Sequence, residues 1–181
     1  MAMRISYRVA RQIADHAEAE APNEACGLLA GDGATIDRAI PLRNSAAMRE
    51  TRYRFAPAEQ LAALKSIDAD SLNWIGIYHS HPRSAPIPSP ADVNEALDPK
   101  LLHLIVSLKD ARPALKLWRI EDQSVTPVDL RFDTDASHEE SSQLTKRQRA
   151  AIVAAGIASL LLLVAISLSL LPPAPQLSPV P

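Results

Sequence analysis

The stretch from Leu72 to Asp92 constrains this chain more than any other part of it. Leu72-Asn73-Trp74-Ile75-Gly76-Ile77-Tyr78 is β-branched and aromatic, which predicts a buried strand, and it runs directly into His79-Ser80-His81-Pro82. Side chains at i and i+2 of a strand share a face, so His79 and His81 can converge on one ion at the strand's end. Ser89-Pro90-Ala91-Asp92 then has the form of a helix start, with Ser89 as N-cap, Pro90 in the first helical position and Asp92 as the acid of a capping box. Taken alone, that is a common cap. Placed just after the two histidines, in the spacing H-x-H-x7-S-x2-D, its carboxylate can also swing onto the metal they share.

Two imidazoles and one carboxylate leave one tetrahedral position open, the arrangement of a catalytic zinc; structural zinc sites are closed by four protein ligands and lean on cysteine. The chain has a single cysteine, Cys26, which argues against a zinc finger. The zinc-deaminase pattern of H-x-E with P-C-x-x-C and the helical H-E-x-x-H signature are both absent. A metal-activated water needs a base, and the upstream candidate is Glu24, at the entrance of the short apolar strand expected in Ala25-Cys26-Gly27-Leu28-Leu29-Ala30. By itself, a glutamate there reads as a solvated surface residue.

Together, Glu24, His79-Ser80-His81-Pro82, Ser89 and Asp92 resemble the full signature of the JAMM (MPN-plus) metalloprotease family. The context Glu24-Ala25-Cys26-Gly27-Leu28-Leu29 is similar to its compact bacterial members. The resemblance covers about Ile5 to Phe132. It implies that His79, His81 and Asp92 bind one Zn2+ per chain with a water as fourth ligand, that Glu24 is the general acid/base, and that Ser89 helps to stabilise the tetrahedral oxyanion. It further implies hydrolysis of a peptide or isopeptide bond at the C-terminus of a ubiquitin-like or sulfur-carrier protein. A catalytically silent binding module of the same fold, recruiting a protein partner to the membrane, is the alternative, and loss of a ligand would have favoured it.

Length and composition fit one such domain with an attachment. The chain's 181 residues are 47% hydrophobic, enough for a core of roughly 130 residues. A net charge of −2 gives no mark of a nucleic-acid binder. One cysteine builds no disulfide framework and favours a reducing compartment; within its apolar run, Cys26 reads as an inert core thiol rather than a nucleophile.

From Ala150 to Leu171 the chain carries no charge, and as a helix this run would span about 33 Å. It predicts a transmembrane helix, stopped by Pro172 and Pro173. Lys146, Arg147 and Arg149 precede the run and no charge follows it, which places the N-terminal part in the cytoplasm by the positive-inside rule. Met1 to Glu20 mixes charges without an apolar core, so no signal peptide is expected. Residues 1–132 are thus expected as the metalloprotease domain, 133–149 as a polar linker with a basic end, 150–171 as the membrane span of a single-pass cell-membrane protein, and 172–181 as a short proline-rich tail.

Within the domain, helices are expected over about Arg8 to Glu20, over Pro57 to Ile67 with Leu61, Leu64 and Ile67 on one face, and from Pro90. Strands are expected over Thr35 to Leu42, Leu101 to Leu108, Ala114 to Ile120 and Val125 to Phe132, the last two joined by a hairpin at Glu121-Asp122-Gln123-Ser124. This order predicts an α/β layered domain around one curved mixed sheet flanked by helices, which is also the fold the resemblance implies. His103 is expected as a core or supporting residue and His16 and His138 as surface residues. Arg83 and Ser84 border the site by position.

Overall fold

In the computed structural model, which describes residues 2–96 and 98–133, the elements follow the order β1 (Ala2–Ser6), α1 (Tyr7–Glu20), β2 (Cys26–Gly31), β3 (Thr35–Leu42), α2 (Pro57–Ala69), β4 (Asn73–His81), α3 (Pro90–Glu95), β5 (Leu102–Ser107), β6 (Ala114–Glu121) and β7 (Ser124–Asp133). The strand β1, which the sequence reading left out, changes the architecture. It pairs in parallel with β3 on one side and with β7 on the other, so the curved mixed sheet closes on itself as a barrel in the order β1-β3-β2-β4-β5-β6-β7. Closure removes the free sheet edges. Pairing also carries β7 one residue into the segment expected as linker, with Asp133 opposite Ser6.

Each helix is positioned by local chemistry and then by one apolar face. Ser6 ends β1 and caps α1, its Oγ accepting from the Val9 amide at 3.2 Å. Val9, Ile13 and Ala17 then lie on one helical face and pack with Ile5, Leu29, Tyr78, Leu104 and Val106. On the opposite face of β2 and β4, Leu28, Ala30 and Ile77 pack with Ala63 and Ile67 of α2. Both faces of β2 are therefore covered, and all six of its residues are buried. The buried face of α2 differs from the expected one. Ala63 and Ile67 point inward and Leu64 is half-buried, whereas Leu61 is 54% exposed, because residues 63, 64 and 67 share a stripe that residue 61 falls outside.

The hairpin between β6 and β7 forms where the sequence places it, with Glu121 opposite Ser124 and both turn residues, Asp122 and Gln123, at positive φ of 47° and 65°. That is the pattern of a type I′ turn, whose twist matches its strands. His16 is not a free surface residue, since its Nδ1 lies 2.9 Å from the buried Tyr78 hydroxyl. No helix among the described residues is long and apolar enough to cross a membrane. The span expected over 150–171 and His138 lie outside the described residues.

Candidate metal centre

The candidate site stands where β4 ends and α3 begins. His79 and His81 share the face of β4 that Ile77 turns toward α2, and both are buried. The Ser89 Oγ accepts from the Asp92 amide at 3.2 Å, and the Asp92 Oδ2 accepts from the Ser89 amide at 2.6 Å, a complete capping box. This reciprocal cap turns the Asp92 carboxylate toward the strand, where its two oxygens lie 3.3 Å from His79 Nε2 and 3.5 Å from His81 Nε2. The two Nε2 atoms are 3.2 Å apart.

These separations test the fit of a metal. Ligand atoms at zinc bond lengths on a tetrahedron stand about 3.3 Å from each other. The imidazole pair matches that value, each Asp92 oxygen stands near it from one of the two histidines, and one ligand atom from each residue lies within 4.8 Å of the others, a group able to hold one ion. The His81 tautomer fits as well. Its Nδ1 lies 2.9 Å from the Ala85 carbonyl and must donate to it, which leaves the Nε2 lone pair free to face the site.

The loop 82–88 that joins strand to helix is pinned through three consecutive carbonyls. Ser107 Oγ donates to Ser84 at 2.6 Å, His81 takes Ala85, and Trp118 Nε1 donates to Pro86 at 2.8 Å. Ser84 thus borders the site through its main chain. Arg83 turns outward and pairs with Glu50 at 3.4 Å, linking this loop to the loop 44–55.

Glu24 reaches the site by a different route. It precedes β2, whose Cys26 pairs with His79, and it is only 6% exposed. Ser80, between the two histidines and facing away from them, clips the next residue from both sides. Its Oγ accepts from the Ala25 amide at 2.8 Å and its own amide donates to the Ala25 carbonyl at 2.9 Å. The Glu24 amide donates to the Arg49 carbonyl at 2.7 Å, and the buried Asn44 donates through Nδ2 to the carbonyls of Glu24 at 2.9 Å and Arg52 at 2.8 Å. Burial is the main cause that pushes the Glu24 carboxyl up to about 7; His81 opposes it, the Asp92 charge adds to it, and Arg52 opposes it. A carboxyl with that affinity can take and return a proton near neutral pH.

Tyr53 completes the site. Its ring stacks on the His79 imidazole, with centroids 4.6 Å apart. Tyr53, Ser80 and Asn44 escaped the sequence reading because their contacts are nonlocal and no spacing marks them. His103 shares the ligand face on β5 opposite Ile77 but is not part of the ligand group, and burial, with the adjacent His79, lowers its affinity for a proton to about 4. Cys26 is fully buried, and burial first, with the nearby glutamates, pushes its thiol up to about 12, as suits an inert core group.

The chain is similar to several known proteins. A family profile described as prokaryotic homologs of the JAB domain matches residues 6–121. Over 104 residues the chain is 38% identical to a desampylase of Haloferax volcanii, covering 56% of this chain and 74% of that one. Over 121 residues it is 39% identical to the CysO-cysteine peptidase of Mycobacterium tuberculosis, covering 64% and 82%. The solution structure of a Desulfitobacterium hafniense protein superposes with a TM-score of 0.70 at 30% identity, covering 78% of this chain and 99% of that one.

Proposed function

The chain belongs to the prokaryotic homologs of the JAB domain and is a hydrolase, and from the convergence of His79, His81 and Asp92 we propose that it is a metallopeptidase cutting a peptide or isopeptide bond at the C-terminus of a ubiquitin-like or sulfur-carrier protein. The names of its relatives, a desampylase and a CysO-cysteine peptidase, support that substrate class. His79, His81 and Asp92 would hold one ion, and two imidazoles with one carboxylate and an open fourth position favour zinc. Such an ion, when bound, supplies Lewis-acid polarisation of the scissile carbonyl and acidifies the attacking water.

The chain's own groups supply the rest. Glu24 takes a proton from the attacking water and passes it to the leaving amine. Its raised proton affinity near 7 suits both transfers. The Ser89 hydroxyl uses its lone pair for the Asp92 amide, so its proton remains available for the carbonyl oxygen as that oxygen becomes negative. Glu24 stays buried and fixed through Ser80, Asn44 and Arg49, so little reorganisation accompanies these steps.

The charge-free run 150–171 and the basic residues Lys146, Arg147 and Arg149 before it support a single-pass cell-membrane anchor with the catalytic domain facing the cytoplasm. The completeness of the set Glu24, His79, His81, Ser89 and Asp92 favours turnover over a silent recruiting module.

The test is metal content and hydrolysis on the purified full-length chain. About one zinc per chain, lost in His79→Ala and Asp92→Ala, with cleavage after the terminal glycine of a carrier fusion, is the expected result. A folded protein that takes up no metal when zinc is supplied overturns it. Recovery of the chain in the soluble fraction of lysed cells overturns the membrane reading.

A further inference from the structure

Two of the three candidate ligands are held from behind. His81 donates through Nδ1 to the Ala85 carbonyl, and the Asp92 carboxylate accepts from the Ser89 amide. His79 has no such support. Its Nδ1 is one of two buried side-chain nitrogens without a hydrogen-bond partner among the described residues, and the other is Nδ1 of His103. A ligating histidine ordinarily gives its second ring N–H to a partner, which fixes the tautomer, and a buried N–H left unpaired is costly.

The two orphaned atoms belong to one corner of the sheet. β4 and β5 run parallel, with His103 opposite Ile77 and His79 opposite Ile105. His79 and His103 are therefore diagonal neighbours on one face, and they are 0% and 4% exposed. The other groups around His79 are already committed. Tyr53 covers the imidazole with the flat of its ring, Cys26 opposite it on β2 gives its thiol to the Leu42 carbonyl, and Ile105 is apolar. His81 and Asp92 meet the far end of the ring, at Nε2.

Resting on the metal-centre reading above, we infer that His103 is a positioning residue for His79, and that one buried water joins their Nδ1 atoms. The His79 Nδ1–H donates to the water oxygen, and the water donates one of its protons to the lone pair on His103 Nδ1. Two such bonds in series reach about 5.5 Å, which suits a pair that does not bond directly. The bridge assigns a tautomer to each ring: Nδ1–H on His79, with Nε2 unprotonated, and Nε2–H on His103. Burial, and then the adjacent His79, lower the proton affinity of His103 to about 4, so its ring stays neutral and keeps the lone pair that the water needs. Asp92 Oδ1, 3.3 Å from His79 Nε2, draws a proton toward the wrong nitrogen. The bridge opposes that tautomer and keeps the Nε2 lone pair aimed at the metal.

The experiment has two readouts on the full-length chain. With isotope-labelled histidine and zinc bound, the imidazole NMR spectrum is expected to show His79 protonated at Nδ1 by a slowly exchanging proton and His103 protonated at Nε2. A competitive chelator titration then compares two variants. His103→Leu fills the space without an acceptor, and its zinc affinity should fall about tenfold or more, the usual effect of removing the partner behind a ligand. An asparagine side-chain oxygen falls where the imidazole Nδ1 stands, so His103→Asn should keep the affinity within about threefold of the unmodified chain. His103 protonated at Nδ1, undiminished affinity in His103→Leu, or equal losses in the two variants each overturn the bridge. Those outcomes leave the hydrolase reading standing. An unmodified, folded chain that takes up no zinc overturns the metal centre and this inference together.

Discussion

The Tyr53 ring lies over the His79 imidazole with its plane only 20° from parallel, so one expected metal ligand is braced by a residue from a loop 26 positions earlier. A stacked pair is worth about 1 kcal/mol beyond its buried area. Tyr53→Leu keeps the apolar fill against Phe55 and loses the brace. The expected result is a folded chain whose zinc affinity drops about fivefold, while Tyr53→Phe stays within twofold, as a competitive chelator titration would read. Equal affinity in all three would show that the ring only fills space.

Glu24→Gln separates chemistry from stability. Activity should be lost, because the amide cannot carry the proton. The metal-free chain should become more stable, with a definite sign against pH. Burial raises the Glu24 carboxyl from the ordinary 4.5 to about 7, so the native state holds its proton where the unfolded state has released it. The resulting penalty is absent below about pH 4.5, grows as pH rises, and is complete above about pH 7. Urea denaturation of the chelator-treated chain should show Glu24→Gln gaining roughly 1–3 kcal/mol at pH 8 and nothing at pH 4. A gain at acidic pH alone would contradict the assignment.

Ser89 has two roles that substitution can separate. Ser89→Ala removes the Oγ that caps α3 and should cost about 1 kcal/mol, whereas glycine at an N-cap costs only a few tenths. Neither carries a hydroxyl. If the hydroxyl serves the oxyanion, kcat falls about 100- to 1000-fold in both Ser89→Ala and Ser89→Gly, and Ser89→Thr recovers much of it. Recovery in the glycine variant would leave Ser89 only its capping role.

Gly27 lies where β2 passes closest to its neighbours. A Cβ there would come within 2.3 Å of the Ile40 carbonyl oxygen and 2.4 Å of the Tyr78 ring. Since Tyr78 is fully buried and held by His16, neither side can move aside easily. Gly27→Ala should lower stability by about 1–3 kcal/mol or more, and thermal melting of the variant would measure it. An unchanged melting temperature would mean that β2 can shift without cost.

Much of this protein is legible in the chain alone, because its signals are local. The strand before His79 carries its own β-branched pattern, Ser89 to Asp92 makes its capping box from four consecutive residues, and Glu121 to Ser124 closes its own turn. The identity and order of the candidate ligands follow from such short-range chemistry. Tertiary structure decided whatever depends on contacts between distant residues. It recruited Ala2–Ser6 as the strand that closes the barrel, and it turned Leu61 of α2 outward and Ala63 inward. Tyr53 was placed on His79 in the same way. Ser80, whose neighbours in sequence are both histidines, was turned to the other face, where it holds the main chain next to Glu24. A short strand of mixed residues has no pattern strong enough to announce itself, and a hydrogen bond across 55 residues leaves no local trace, so these features exist only once the sheet has brought the segments together.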